Sequence, residues 1–290
     1  MLIPQVKNPI LVARCFLRFL VYGKANKEIN LPESVLIIQL GKFGDMLATT
    51  PMFRAVKKTY PACRVTVIGN KVNKELVEGN LDIDEYIVWD NDVDNMISTL
   101  KGNSYDFGCV TGPNFHSLAA LFLSGIKTIS APVIKNGWSP YETRSYKIIR
   151  NFVIKRDHRM RHYVPREYLR LLEPIGIYTE DTKKYIYWST KGEAKAKEII
   201  SEINKPYSWL VGIMPGAGNK AKQWSARRFA KVSDYLVKKY NAYILIIGSE
   251  ANRKEISEMR NAVIYRDSVT DTSRTSVDEV KALISKLDFT

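Results

Sequence analysis

Four short apolar runs, each leading into a glycine, constrain this chain more than any other feature. They are Val35-Leu-Ile-Ile-Gln-Leu40 before Gly41, Arg64-Val-Thr-Val-Ile68 before Gly69, Trp209-Leu-Val-Gly-Ile-Met214 before Pro215-Gly216, and Tyr243-Ile-Leu-Ile-Ile247 before Gly248. Continuous apolar runs of this length, without polar alternation, are what strands covered on both faces require. Stretches with apolar residues at helical spacing lie between them: Met46 to Lys58, Ser117 to Ser124, Ser189 to Asn204 and Ser225 to Tyr240. Tyr86-Ile-Val-Trp89, Tyr105 to Val110 and Val263-Ile-Tyr265 read as further strands, and Asp288-Phe289 as the start of another. Alternation at βαβ spacing predicts parallel sheets with helices on both faces.

The alternation occurs twice. A linker from Ile177 to about Thr190 separates two nucleotide-fold-like units, so we expect an N-terminal segment over residues 1–30, a first domain over 31–185 and a second over 186–290. The 290 residues give each domain enough chain for its own core. No repeat of 20–50 residues and no low-complexity tract is evident.

Pro51 falls inside the first long helical pattern, so either Thr50-Pro51 starts that helix or the helix kinks there. Ser225 stands where a helix cap belongs, and Ser276-Val-Asp-Glu279 has the capping-box pattern. Residues 163–173 read as a helix ending near Pro174 and Gly176.

Charge separates the partner classes. Lys and Arg number 44 against 30 Asp and Glu, a formal +14, which favours an anionic partner. No recognised nucleic-acid motif accompanies the basic residues, and nucleic acid is the weakest of the anionic partners. Three scattered cysteines (Cys15, Cys63, Cys109) and three histidines exclude a disulfide framework and a dedicated metal cage, which points to a reducing compartment, the cytoplasm. The N-terminal run Pro9 to Tyr22 is apolar but carries Arg14 and Arg18, too charged and too short for a membrane span. Two readings stay open for it: a basic amphipathic helix on an anionic membrane surface, or a helix packed on the protein's own core.

Three loops follow strands where parallel sheets bind ligands. Gly41-Lys-Phe-Gly-Asp45 lacks the third glycine of a dinucleotide fingerprint and the Gly-Lys-Ser/Thr of a P-loop. Asp45 reads either as an acidic residue complementing a helix N-terminus or as a general base for a substrate hydroxyl. Pro215-Gly-Ala-Gly-Asn-Lys-Ala-Lys-Gln-Trp224 places Lys220 and Lys222 beside Gly216 and Gly218, which suits either a solvated basic turn or the charge of a departing diphosphate. Trp224 reads as a packing residue. Glu250 and Asn252 offer partners for ribose hydroxyls. From Tyr141 to Arg170, nine Lys/Arg face three acidic residues; Arg144, Lys147, Arg150, Arg156 and Arg161 either grip anionic groups of an acceptor or form a solvent-facing helix surface.

Taken together, three segments resemble glycosyltransferase family 9, the heptosyltransferases of lipopolysaccharide assembly and their relatives. They are Leu36 through Asp45 to Lys58 with Tyr60-Pro61, Arg161 to Glu173, and Met214-Pro-Gly-Ala with Lys222-Gln-Trp224 and Ala226-Arg-Arg-Phe-Ala230. The resemblance implies a GT-B-like α/β fold, two Rossmann-like parallel-sheet domains facing a cleft, with Asp45 and Lys222 across it from one another. It implies inverting transfer of a heptose-like sugar from a nucleotide-sugar donor, ADP-linked, to a lipopolysaccharide or related anionic lipid-linked glycan, without a metal. Asp45 would be the base and Lys222, with Lys220 and Gly216, would serve the donor diphosphate, with Glu250 and Asn252 near the ribose. Gly44, Arg144, Lys147 and Arg161 would face the acceptor. The family continues beyond Asp288-Phe289 into an Asp-Thr-Gly-x-x-His loop that is not in this sequence. We therefore expect an incomplete second domain and, as the alternative function, a non-catalytic relative that only binds anionic glycan or lipid. The expected location is the cytoplasm, peripheral on the inner face of the membrane.

Overall fold

The computed structural model describes residues 8–218 and 220–290. The chain divides into two compact units, one ending at Ile186 and the other beginning at Tyr187.

The first unit runs α1 (Asn8–Tyr22), β1 (Ser34–Gln39), α2 (Phe43–Thr59), β2 (Arg64–Gly69), α3 (Lys71–Val77), β3 (Glu85–Val88), α4 (Val93–Gly102), β4 (Phe107–Val110), α5 (Phe115–Ser124), β5 (Thr128–Lys135), α6 (Arg144–Ile149), β6 (Ile154–Arg159) and α7 (Val164–Leu169). A 3₁₀ segment, Arg170–Ile175, continues α7 and ends at Gly176 in the left-handed region. All six strands are parallel, in the order β3-β2-β1-β4-β5-β6. The apolar run of β1 divides between the two faces. Leu36 and Ile38 join Leu118, Phe122 and Tyr146, whereas Val35 and Ile37 join Met52, Phe53 and Leu172. Each such side chain fully buried contributes roughly 1.5–3 kcal/mol.

The helix around Pro51 neither starts there nor breaks. α2 begins at Phe43 and runs through the proline. The carbonyl of Leu47, which loses its usual partner because proline has no N–H, accepts instead from the Thr50 hydroxyl at 2.9 Å. The basic stretch 141–170 is only partly helical, because it also forms β6, the edge strand beside β5.

The N-terminal run is a helix packed on the protein's own core through one face. Leu11 and Cys15 are buried in the core, and Phe19 stacks on Phe152 with ring centroids 4.3 Å apart. The opposite face is exposed and apolar, including Leu17 and Leu20. Among the described residues, no helix is long and apolar enough to cross a membrane.

The second unit runs α8 (Thr190–Ser201), β7 (Trp209–Ile213), α9 (Ala226–Tyr240), β8 (Ala242–Ile246), α10 (Arg253–Ala262), β9 (Val269–Asp271) and α11 (Val277–Ile284). Its strands are parallel in the order β7-β8-β9, and Phe289 makes a parallel bridge to Val211 on the free side of β7. Residues of α9 and α10 cover one face, and residues of α8 and α11 the other. The capping box at Ser276 and Glu279 forms, whereas Ser225 occupies its cap position without a side-chain hydrogen bond.

Val263–Tyr265 is not a strand. The N–H groups of Ile264 and Tyr265 donate to Asp234 Oδ1 at 2.9 and 3.2 Å, so a helix carboxylate takes the bonds that a neighbouring strand would need. The third strand is β9, paired with β8 from Val269 to Asp271.

Candidate active-site loops

In the first unit the strand order reverses between β1 and β4, and in parallel sheets the crevice that takes a ligand is expected outside the carboxyl ends of two such strands. The β1–α2 loop borders it and is held from three sides. Gln39 Oε1 accepts from Gly41 N–H at 2.7 Å, and Gln39 Nε2 donates to Thr49 Oγ1 at 3.0 Å. The Asn70 and Asn73 amides both donate to the Gly41 carbonyl, at 3.1 and 2.9 Å. Asp45 reaches back so that Oδ2 accepts from Lys42 N–H at 2.9 Å, which satisfies an open donor at the helix start and complements its dipole. Oδ1 enters no hydrogen bond among the described residues, and the side chain is half-buried.

A second group packs behind Asp45. Burial pushes the Tyr168 phenol up to about 12, the Asp45 charge adds to that, and a hydrogen bond with Gln39 opposes it. His158 is tilted against Tyr168, with ring centroids 5.8 Å apart, and its buried Nδ1 has no hydrogen-bond partner among the described residues. Burial holds the His158 imidazole below its usual range, against the pull of the Glu167 charge. Gln39, Tyr168 and His158 were not singled out from sequence. Tyr168 and His158 fall within the basic stretch, but nothing in their spacing connects them to Asp45.

The acceptor candidates distribute unevenly. Arg161 sits in the β6–α7 turn with φ 68°, and Arg144 opens α6 after β5, so both lie on the same edge of the sheet as the Asp45 loop. With strands spaced ~4.8 Å, β6 stands about 14 Å along that edge from β1. Buried Glu167 braces the Arg161 turn by accepting from Arg159 N–H at 2.7 Å. Lys147 is drawn to Glu142, which also pairs with Arg150. Arg156 pairs with Glu173 at 3.0 Å. Gly44 is exposed, and a methyl group there would meet nothing.

In the second unit, Gly216 and Asn252 come together. A Cβ on Gly216 would lie 2.3 Å from Asn252 Cγ, so only glycine lets the loop after β7 lie against the loop after β8. Lys220 and Lys222 share one exposed 3₁₀ turn. The Gln223 side chain hydrogen-bonds Glu255 and, with smaller effects from the Glu255 backbone N–H and the Lys254 and Lys220 charges, holds that carboxyl below its usual range. Glu250 is exposed and pairs with Arg253 at 2.9 Å. Trp224 packs edge-to-face on Phe229 but keeps an exposed side. These loops present lysines and backbone at the carboxyl ends of parallel strands, where an anionic ligand finds N–H groups and positive charge.

The sequence model of glycosyltransferase family 9 (heptosyltransferase) matches residues 93–290, more than half of the chain. The chain belongs to this family of glycosyltransferases, and its two Rossmann-like units are those of the GT-B architecture. Lipopolysaccharide heptosyltransferase 3 of Escherichia coli strain K12 is 25% identical over 223 residues, 72% of this chain. The matched stretch spans 61% of that relative's length. Among solved structures, a family 9 glycosyl transferase from Veillonella parvula DSM 2008 has a TM-score of 0.73 at 19% identity, covering 90% of this chain and 76% of that one. The E. coli ADP-heptose lipopolysaccharide heptosyltransferase II has a TM-score of 0.69 at 16% identity, covering 88% and 77%. At these identities the two structures speak for the fold.

Proposed function

We propose that the chain transfers a heptose-like sugar, with inversion, from an ADP-linked nucleotide-sugar to a lipopolysaccharide or related cell-surface glycan at the cytoplasmic face of the membrane. Family membership supports the reaction class, and the curated relative's name supports the sugar and the acceptor. The observation that carries the catalytic assignment is Asp45, a carboxylate anchored through one oxygen to Lys42 N–H, with the other in no hydrogen bond among the described residues, in the loop at the carboxyl end of a central strand.

In this reading Asp45 takes the proton of an acceptor hydroxyl as that oxygen bonds to the anomeric carbon and the bond to the donor phosphate breaks. Lys222, with Lys220, offsets the charge that develops on the departing diphosphate. The loop made by Gly216 and Asn252, with Glu250, holds the nucleoside. Arg144, Lys147 and Arg161 engage anionic groups of the acceptor, and Gly44 leaves space beside the base.

The test is product formation from ADP-heptose and a heptose-deficient lipopolysaccharide by the purified chain and by Asp45→Asn. The amide keeps the size and the hydrogen bond to Lys42 N–H, so the variant should melt like the parent and turn over roughly 10²–10⁴-fold more slowly. Equal turnover by the two proteins would remove Asp45 as the base. Acceptor binding without turnover by either would leave a binding protein.

A further inference from the structure

A cavity of about 620 Å³ in the first unit lies far from the Asp45 loop. The end of α1, the end of α4 and the segment just before β5 line it, at the amino ends of the strands, whereas the Asp45 loop follows a carboxyl end. Among the described residues, six cations line it: Arg14, Arg18, Lys24, Lys27, Lys101 and Lys127. No carboxylate is among its described lining residues. Arg14 pairs with Asp94, and the other five enter no ion pair among the described residues.

Helix ends account for part of this charge, since α1, α4 and α5 all terminate here. Three C-termini carry about −1.5 in partial charge, which leaves the five unpaired cations in excess by about +3.5. The cavity is therefore net positive beyond what the helix ends offset, which favours an anionic ligand.

The cavity adjoins an uncovered apolar face. Ile10, Leu17, Leu20 and Val21 are 65%, 63%, 63% and 72% exposed along one side of α1, with Phe16 beside them. Leu17 belongs both to this strip and to the cavity wall. An apolar helix face flanked by cations is the arrangement of a helix that lies in the plane of an anionic bilayer surface. Charge selects among the occupants: a second copy of a +14 chain is disfavoured here, whereas acidic lipid is favoured.

We propose that α1 and this cavity form a membrane-docking site, with the apolar strip inserted among acyl chains and the cavity holding the phosphate headgroup of an anionic phospholipid. The site stands independently of the sugar-transfer reading, because its test needs neither donor nor acceptor.

The experiment is cosedimentation of the full chain with large vesicles of phosphatidylcholine, with or without 30% phosphatidylglycerol. Binding should be at least tenfold stronger to the phosphatidylglycerol vesicles and should weaken as salt rises. Leu17→Asp with Leu20→Asp, and separately Lys24→Glu, Lys27→Glu with Lys127→Glu, should each lower it at least tenfold. All five positions are exposed, so the melting temperature should hold in both variants. Free glycerol phosphate at millimolar concentration should not compete, since it lacks the acyl chains. Equal binding to neutral vesicles, insensitivity to either variant, or displacement by free glycerol phosphate would each overturn the proposal. So would a dimer closed through α1, or duplex DNA binding, in a chain that ignores vesicles.

Discussion

Asp45 occupies the space that a side chain at position 41 would need: a Cβ built on Gly41 would stand 2.6 Å from Asp45 Oδ2 and 2.8 Å from Gln39 Oε1. The glycine is required here by the neighbouring carboxylate rather than by its own backbone angles. Gly41→Ala should displace Asp45 from Lys42 N–H and cost about 1–3 kcal/mol in urea unfolding, as overpacking does. If transferase activity is established, its turnover should fall with it. A fully stable Gly41→Ala protein would show that the loop relaxes freely.

Lys222→Ala separates a chemical role from a structural one. The side chain is exposed, so the melting temperature should not move. Turnover of a nucleotide-sugar donor should fall on the order of 10²-fold. A large melting shift with intact turnover would return Lys222 to the surface.

Gly216 and Asn252 are coupled, and a double-mutant cycle measures the coupling. Gly216→Ala alone should destabilise the second unit, because the new methyl meets the Asn252 amide. Adding Asn252→Ala should recover part of the loss, with a coupling of about 0.5–3 kcal/mol. Strict additivity would show that the two loops do not rest on each other.

Acid sensitivity should arise at the histidines first. Burial holds His116 and His158 below their usual range, so the unfolded chain takes up their protons more readily than the folded one. Stability is therefore whole above pH 6.5 and declines as pH falls below it. The melting temperature should drop by a few degrees between pH 7.5 and 5.5, and His158→Phe should flatten part of that slope. Asp84, held low by the Lys57 ammonium and Val65 N–H against the cost of burial, acts in the separate carboxylate window, where stability is lost at more acid pH. An unchanged slope in both His158→Phe and His116→Phe would assign the effect elsewhere.

What the sequence made legible was what burial writes into composition. β1, β2, β7 and β8 are covered on both faces and read as apolar runs. β6, with the sequence IKRDHR, borders only β5, so its charged side chains concealed it. β5 was hidden by Pro132, which the strand tolerates because its pairing with β4 ends at Ser130. Asp45 stood out as a candidate through the family resemblance of its segment, whereas its loop alone left a plain helix N-terminal role open. Its surroundings were not legible, because Asn73 and Tyr168 arrive only after elements distant in sequence have packed, and no local pattern shows that the Gln39 amide folds back onto the loop. The proximity of Gly216 to Asn252 likewise follows from adjacent strands, not from any local pattern.

The Thr50 hydroxyl that repairs α2 at Pro51 has a second partner, since it accepts from Tyr185 N–H at 3.2 Å. Arg54 lies 3.4 Å from the centroid of the Tyr185 ring, and Lys58 pairs with Asp181. The last stretch of the first unit is thereby moored along the helix whose opening turn carries Asp45. One small alcohol both mends that rod and ties down the polypeptide as it leaves, so the point of departure stays at a set distance from the carboxylate.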